Sequence, residues 1–154
     1  IINEKVFKDI LNADTFLKMK PPKSTGREFY NSRFIEDILK LNKNVINEDI
    51  VRTFTEYTAF SVSENIRNYL RIKRKYELHV SGGGANNTLI MNGLRKYNKN
   101  AEVSRVSNAG ITTSNKEAIL FALLAHETLN MNCTNLKSVT GAKKNVVLGK
   151  ICIA

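Results

Sequence analysis

The chain has 154 residues, of which 42% are hydrophobic and 25% charged, and 24 Lys and Arg against 14 Asp and Glu give a net charge of +10. This length suits one domain with a core of its own, and the balance is that of a globular protein rather than a disordered or fibrous one. No apolar run approaches the ~20 residues needed to span a bilayer, and no basic-then-apolar leader opens the sequence.

Ile1 starts directly on a helical pattern, so an excised piece with residues missing upstream is expected. Asn3 to Asn12 reads as a short amphipathic helix capped by Asn3, with Val6, Phe7, Ile10 and Leu11 on one stripe. Phe16 and Leu17 continue the apolar pattern inward. Pro21 and Pro22 then fix an extended segment that Gly26 punctuates. Lys23-Ser24-Thr25 lacks the Gly-x-x-x-x-Gly that precedes the lysine of a phosphate loop, so that motif is rejected. Two readings stay open: a rigid loop offering Lys23 and Arg27 to a cleft, or a plain basic linker.

Ser32 to Leu41 is predicted helical, with Phe34, Ile35, Ile38 and Leu39 inward. Asn47 is expected to cap a long helix running to about Ile72, its apolar face traced by Ile50, Phe54, Tyr57, Val62, Ile66 and Tyr69. At ~25 residues it would reach nearly 40 Å. Arg67, Arg71, Lys73, Arg74 and Lys75 form the densest basic run. With Tyr69 alone inside it, the run lacks a series of interleaved aromatics of the kind that stack single-stranded bases, so a solvated helix end is favoured over a nucleic-acid stripe.

Glu77 to Asn87 reads as strand, glycine turn and helix start. Leu78 and Val80 alternate with polar residues, and Gly82, Gly83 and Gly84 remove every Cβ from the bend. Asn86 or Asn87 caps the next helix, whose apolar residues are Leu89, Ile90, Met91 and Leu94. Free N–H groups at such a helix start favour an anion, a phosphate being the natural ligand. The turn is not Gly-x-Gly-x-x-Gly, so the dinucleotide fingerprint is not met. A purely structural strand-to-helix turn is the alternative.

Ala101 to Val106 is a second strand, the neighbour of 76–81, and Ser107 to Gly110 a loop. Ser114 and Glu117 fit a capping box opening a helix over about 115–129. That helix is apolar nearly all round and should be buried, with Ala118, Ala122 and Ala125 allowing close approach. Thr134 to Ala142 reads as a turn-rich loop, and Val146 to Ile151 as a terminal strand or apolar tail. Cys133 and Cys152 match neither a metal site nor a disulfide framework and read as reduced thiols of a cytosolic protein. His79 and His126, expected in apolar surroundings, read as packed or surface residues rather than ligands. The fold class is therefore α/β, a small sheet flanked by helices.

Four stretches occur in order: Pro21 to Glu28, Gly82 to Asn87, Lys116-Glu117-Ala118, and Ser138 to Ala142 with Val146 to Lys150. Together they resemble the C-terminal part of the anhydro-N-acetylmuramic acid kinase family, over essentially the whole chain. The resemblance implies the C-terminal lobe of an actin-like, ribonuclease H-like ATPase fold. It also implies the family's reaction, ATP-dependent phosphorylation of 1,6-anhydro-N-acetylmuramic acid with hydrolytic opening of its ring. The product is N-acetylmuramic acid 6-phosphate, formed in peptidoglycan recycling.

On this basis residues 1–46 lead from a missing upstream lobe, and 47–154 form the nucleotide-side lobe. Gly82, Gly83, Gly84 and Asn86 would hold the nucleotide, and Glu117 would meet the sugar unless it only caps a helix. The resemblance brings ATP and Mg²⁺ as cofactors and the upstream lobe as partner, and leaves a homodimer open. It implies a cytoplasmic location and no membrane. The family's phosphate loop and catalytic carboxylate belong to the other lobe, so no catalytic base and no metal ligand is assigned here, and the chain alone should be inactive. Ser81 stands where the family usually has Cys, and Asn86 or its neighbour where it has His or Arg before the motif's Asn. Ile111-Thr112-Thr113 replaces a more usual Ile-Pro. Two rival readings are a basic nucleic-acid-binding module, which is disfavoured, and a non-enzymatic interaction domain.

Overall fold

The computed structural model describes residues 1–106, 112 and 115–152. Helix α1 spans Glu4–Ala13 and starts where Asn3 accepts the amide of Val6. It stops at Asp14, whose side chain in turn caps the single turn α2, Thr15–Lys18, by accepting from Leu17 N at 2.8 Å. Asp14 is fully buried and also takes hydroxyl bonds from Tyr57 at 2.7 Å and Tyr30 at 2.9 Å. One carboxylate thus ties α2, the following loop and a helix 43 residues away. Burial, reinforced by the bond to Asp14, pushes both phenols above the ordinary tyrosine range.

Helix α3, Ser32–Leu41, opens on Asn31, which accepts from Phe34 N. Only Ile38 is buried and Phe34 half-buried; Ile35 and Leu39, expected inward, lie 45% and 37% exposed. The reason is that α3 packs chiefly on α1, so only one edge of its apolar stripe is covered.

Helix α4, Asn47–Asn65, is shorter than the sequence suggests. Asn47 is its first residue rather than its cap; Ile46 precedes it with no side-chain cap bond. A π-helical turn, Ile66–Leu70, follows and ends at Arg71 in the left-handed region, φ 47°. The buried face of α4 is also more polar than its apolar pattern implies. Thr53, Glu56, Ala59 and Ser63 lie inside beside Ile50 and Tyr57, while Val62 points outward. Each polar group is satisfied. Thr53 donates to Asp49 O and accepts from Asn3 N, and Ser63 donates to Ala59 O and accepts from Asn98.

Two cores form on opposite flanks of α4. Val6, Ile10, Leu17, Ile38, Ile50 and Tyr57 make the first, joined by Phe7 and Phe60 in edge-to-face ring contacts. Ala59, Met91, Leu94 and Val103 make the second, under Leu78 and Val80. Strand β1, Tyr76–Val80, and strand β2, Ala101–Arg105, pair in parallel from Tyr76 opposite Ala101 to Val80 opposite Arg105. Helix α5, Thr88–Tyr97, makes the crossover and packs on α4. The contact is tight: a Cβ added at Gly93 would come within 2.6 Å of Ala59 Cβ. Glu56 closes it, accepting from Lys96 at 2.7 Å, Tyr97 at 2.8 Å and Arg52 at 3.0 Å. Burial alone would raise the Glu56 carboxyl's pKa, but these bonds outweigh it and hold the group below the ordinary range.

Helix α6, Lys116–Leu129, departs furthest from expectation. None of its described residues is buried, and Phe121 is 69% exposed. It does not flank the sheet; the close helix approach is made by Ala59 and Gly93, not by Ala118, Ala122 or Ala125. The segment expected as loop contains a short helical turn α7, Lys137–Thr140, ended by Gly141 at φ 74° against Pro22. The segment expected as a terminal strand makes one antiparallel bridge, Val147 to Cys133, and Leu148 O accepts the Thr128 hydroxyl. The histidines do not sit in apolar surroundings. His79 bonds Glu77 and Ser104 on the open face of the sheet, and His126 bonds Glu127. No described helix is long and apolar enough to cross a membrane.

Candidate functional site

In parallel sheets the crevice beyond the carboxyl ends of the strands is where ligands collect. Here β1 delivers Ser81, Gly82, Gly83 and Gly84 to that end. The three glycines are not equivalent. Gly82 has φ 89° and ψ −177°, a conformation essentially restricted to glycine, so the fold itself requires it. Gly83 is not left-handed, and a Cβ there would meet nothing within 4 Å. Gly84 would bring a Cβ only to ordinary contact with Ile90, at 3.7 Å. Neither packing nor backbone conformation therefore accounts for the absence of a side chain at Gly83. What its absence does is leave the backbone open to approach from outside.

The helix start behind the turn corrects the sequence reading. Gly83–Asn86 forms a 3₁₀ turn of its own before α5 begins. The cap is Asn87, whose Oδ1 accepts from Leu89 N at 3.0 Å and Ile90 N at 3.3 Å. Those first α5 amides are thus occupied, and an anion there would compete with the cap. The free donors are one turn earlier: among the described residues, the amides of Gly83 and Gly84 donate to no acceptor. Asn86 is exposed within the 3₁₀ turn, with no bonded partner among the described residues. It is free to face a ligand but does not cap α5.

Lys116 is the residue that sequence reasoning passed over as a site. Its Nζ donates to Ser81 Oγ at 2.7 Å, across 35 residues of sequence. This ties the first turn of α6 to Ser81, the residue that enters the glycine turn. Its place next to Glu117 was the only signal available, and spacing alone does not say where a helix start docks. Glu117 is exposed in that same first turn, and no hydrogen bond or ion pair holds it among the described residues. Ser114, the expected capping partner, lies outside the described residues, as do Ser107 to Gly110.

Lys23 is not brought to this site, and Arg27 is exposed in its loop. Lys23 folds back to donate to Phe16 O at 3.1 Å and sits over the rings of Phe16 and Tyr69. Burial lowers its pKa below the ordinary lysine value, and Asp14 nearby opposes that shift. Its work is to close the end of α2 rather than to offer charge to a cleft. Among the described residues no cluster of three or more His, Cys, Asp or Glu could hold a metal ion.

Fold and turn together define an α/β protein with an open, donor-lined loop at the carboxyl edge of parallel strands. The family model for anhydro-N-acetylmuramic acid kinase matches residues 1–154. Proteins named anhydro-N-acetylmuramic acid kinase resemble the chain from Clostridioides difficile, 35% identical over 97% of this chain, and from Bacillus cereus, 39% identical over 88%. A third, from Caldanaerobacter subterraneus subsp. tengcongensis, is 34% identical over 99% of the chain. The chain belongs to the anhydro-N-acetylmuramic acid kinase family. It spans 36 to 39% of the length of these relatives.

Proposed function

We propose that this chain is the C-terminal, nucleotide-side lobe of an ATP-dependent sugar kinase of actin-like fold. Residues 1–46 lead into it from an upstream lobe, and 47–154 carry the nucleotide side. The full protein would convert 1,6-anhydro-N-acetylmuramic acid to N-acetylmuramic acid 6-phosphate. Water adds at the anomeric carbon as the anhydro bridge to O6 breaks, and O6 receives the γ-phosphoryl group of ATP. The supply of ATP puts this work in the cytoplasm. The observation that carries the reading is the glycine turn: open backbone at Gly83, unspent amides at Gly83 and Gly84, and Lys116 alongside.

Each part has a role that its chemistry suits. The amides of Gly83 and Gly84 donate to phosphate oxygens without a side chain in the way. Lys116 adds a point charge that exchanges its Ser81 partner for a phosphate. Asn86 offers an amide to the nucleotide from the 3₁₀ turn. Mg²⁺ would be carried by ATP oxygens and water, its usual environment. Phosphoryl transfer depends on alignment and charge stabilisation, so the base and phosphate loop of the other lobe complete the site and this lobe alone is inactive. Glu117, one residue from Lys116, would bond a sugar hydroxyl or the attacking water.

Calorimetry of ADP binding to the full-length protein tests the nucleotide reading. Gly83→Val is expected to weaken affinity at least tenfold, about 1.4 kcal/mol, with an unchanged melting temperature because the added side chain meets nothing in the fold. Equal affinity in parent and variant would overturn it. For Glu117, the Glu117→Gln enzyme is expected to lose at least tenfold in kcat at an unchanged melting temperature; unchanged kinetics would remove Glu117 from the site.

A further inference from the structure

The opposite end of the sheet holds a second concave surface, formed where the π-helical turn after α4 meets the loop between α5 and β2. It encloses about 770 Å³, within the size range of small-molecule sites. Arg71 and Lys73 approach it from one side and Lys99 from the other. Among the described residues none of these three has an ion-pair partner, and no carboxylate lines the cleft. Two further cations on the wall are already engaged, Arg67 with Glu64 and Lys96 with Glu56.

The backbone adds a second, independent observation. Arg71 sits at φ 47°, where glycine would carry no strain, and it follows a π-helical turn. Both are uncommon features that gather at functional sites. The helix ends at Arg71, and Arg71 and Lys73 both line the cleft. Two aromatics, Tyr76 and Tyr97, also line the cleft. Their hydroxyls bond Asn98 and Glu56, which leaves the rings as wall.

Three unneutralised cations held around a cleft repel one another, and an anion of high charge density is the ligand that removes that repulsion. We propose that this cleft binds a small oligophosphate-bearing ligand, at a site separate from the glycine turn. Strand β1 runs from Tyr76 at the cleft to Val80 beside the glycine turn, four steps and roughly 13 Å at ~3.3 Å per residue. The size of the cleft favours a compact anion over an extended nucleic acid, which would need a longer track of cations.

The test is calorimetric titration of tripolyphosphate into the full-length protein saturated with ADP. Binding at one site per chain is expected, weakening as salt rises. Lys73→Glu with Lys99→Glu should lower the affinity at least tenfold, and the neutral pair Lys73→Gln with Lys99→Gln by less. Arg71→Gly should lower it too, while the melting temperature holds or rises because the left-handed residue becomes glycine. Affinity unchanged in these variants would overturn the proposal. So would loss of all tripolyphosphate binding once ADP is present, which would assign the anion to the glycine turn. Tighter binding of a 20-nucleotide single strand than of tripolyphosphate, lost in the same variants, would overturn it in favour of a nucleic-acid surface. If ADP itself does not bind, the nucleotide reading fails, yet the variants still report on the cleft.

Discussion

The two halves of this molecule use apolar residues in opposite ways. In residues 1–106, helix α4 is barely amphipathic, yet from Ile50 to Ser63 it buries residues against two cores and carries Thr53, Glu56 and Ser63 inside. In the region from Lys116 onward, α6 is far more apolar and has no buried residue. Burial therefore follows the presence of an opposing surface, not hydrophobicity alone. α4 meets α1 on one flank and α5 on the other, and its polar groups find donors there. α6 meets mainly its own tail, along Leu148 to Ile151.

The sharpest way to break this comparison is Glu56→Ala. It leaves the exposed Lys96 and the part-buried Arg52 and Tyr97 converging on an empty acceptor site, and removing the buried acceptor of several donors costs about 2 kcal/mol. Urea denaturation of the 1–154 chain should show that loss; a change below ~1 kcal/mol would mean the α4–α5 seam does not depend on the carboxylate. The pH dependence follows from the same group. Its folded pKa lies below the ordinary glutamate value of 4.5, so the unfolded chain binds the proton more readily. Its contribution to stability is present above about pH 4.5 and is lost as pH falls through the lower folded value. Glu56→Gln should flatten the acid limb of the stability curve below about pH 4.5.

Gly93→Ala should come next. The 2.6 Å approach to Ala59 Cβ forces the two helices apart, and such overpacking costs about 1–3 kcal/mol. A stabilised variant, as helix propensity alone would give, would show that α5 can slide along α4 without loss. The smallest effect is expected in the other half. Phe121→Ser in the 1–154 chain should change stability by within about 0.5 kcal/mol, as surface substitutions do. A loss as large as that of Glu56→Ala would mean α6 is covered in solution and would abolish the contrast.

Much of the local structure was legible. Asn3 marks a helix start because a short polar side chain there has an orphan amide to accept, a purely local requirement. Alternation at Leu78, Val80 and Val103 marks the strands, and Gly82 marks a backbone conformation that excludes a side chain. The glycine turn and Glu117 were therefore visible as candidates, and the order of four motifs carried the family.

Tertiary structure decided the rest, because it depends on what arrives from elsewhere in the chain. Asn87 rather than Asn86 became the cap once the glycines had wound into their own 3₁₀ turn. Lys23 was spent on the carbonyl of Phe16 because that turn of chain folds back on α2. Lys116 joined the glycine turn through Ser81 at a separation that no periodicity reports. The acceptability of Glu56 inside α4 was fixed by donors 40 and 41 residues away. Spacing along a sequence records which residues share a face, and only the packed chain records what that face meets.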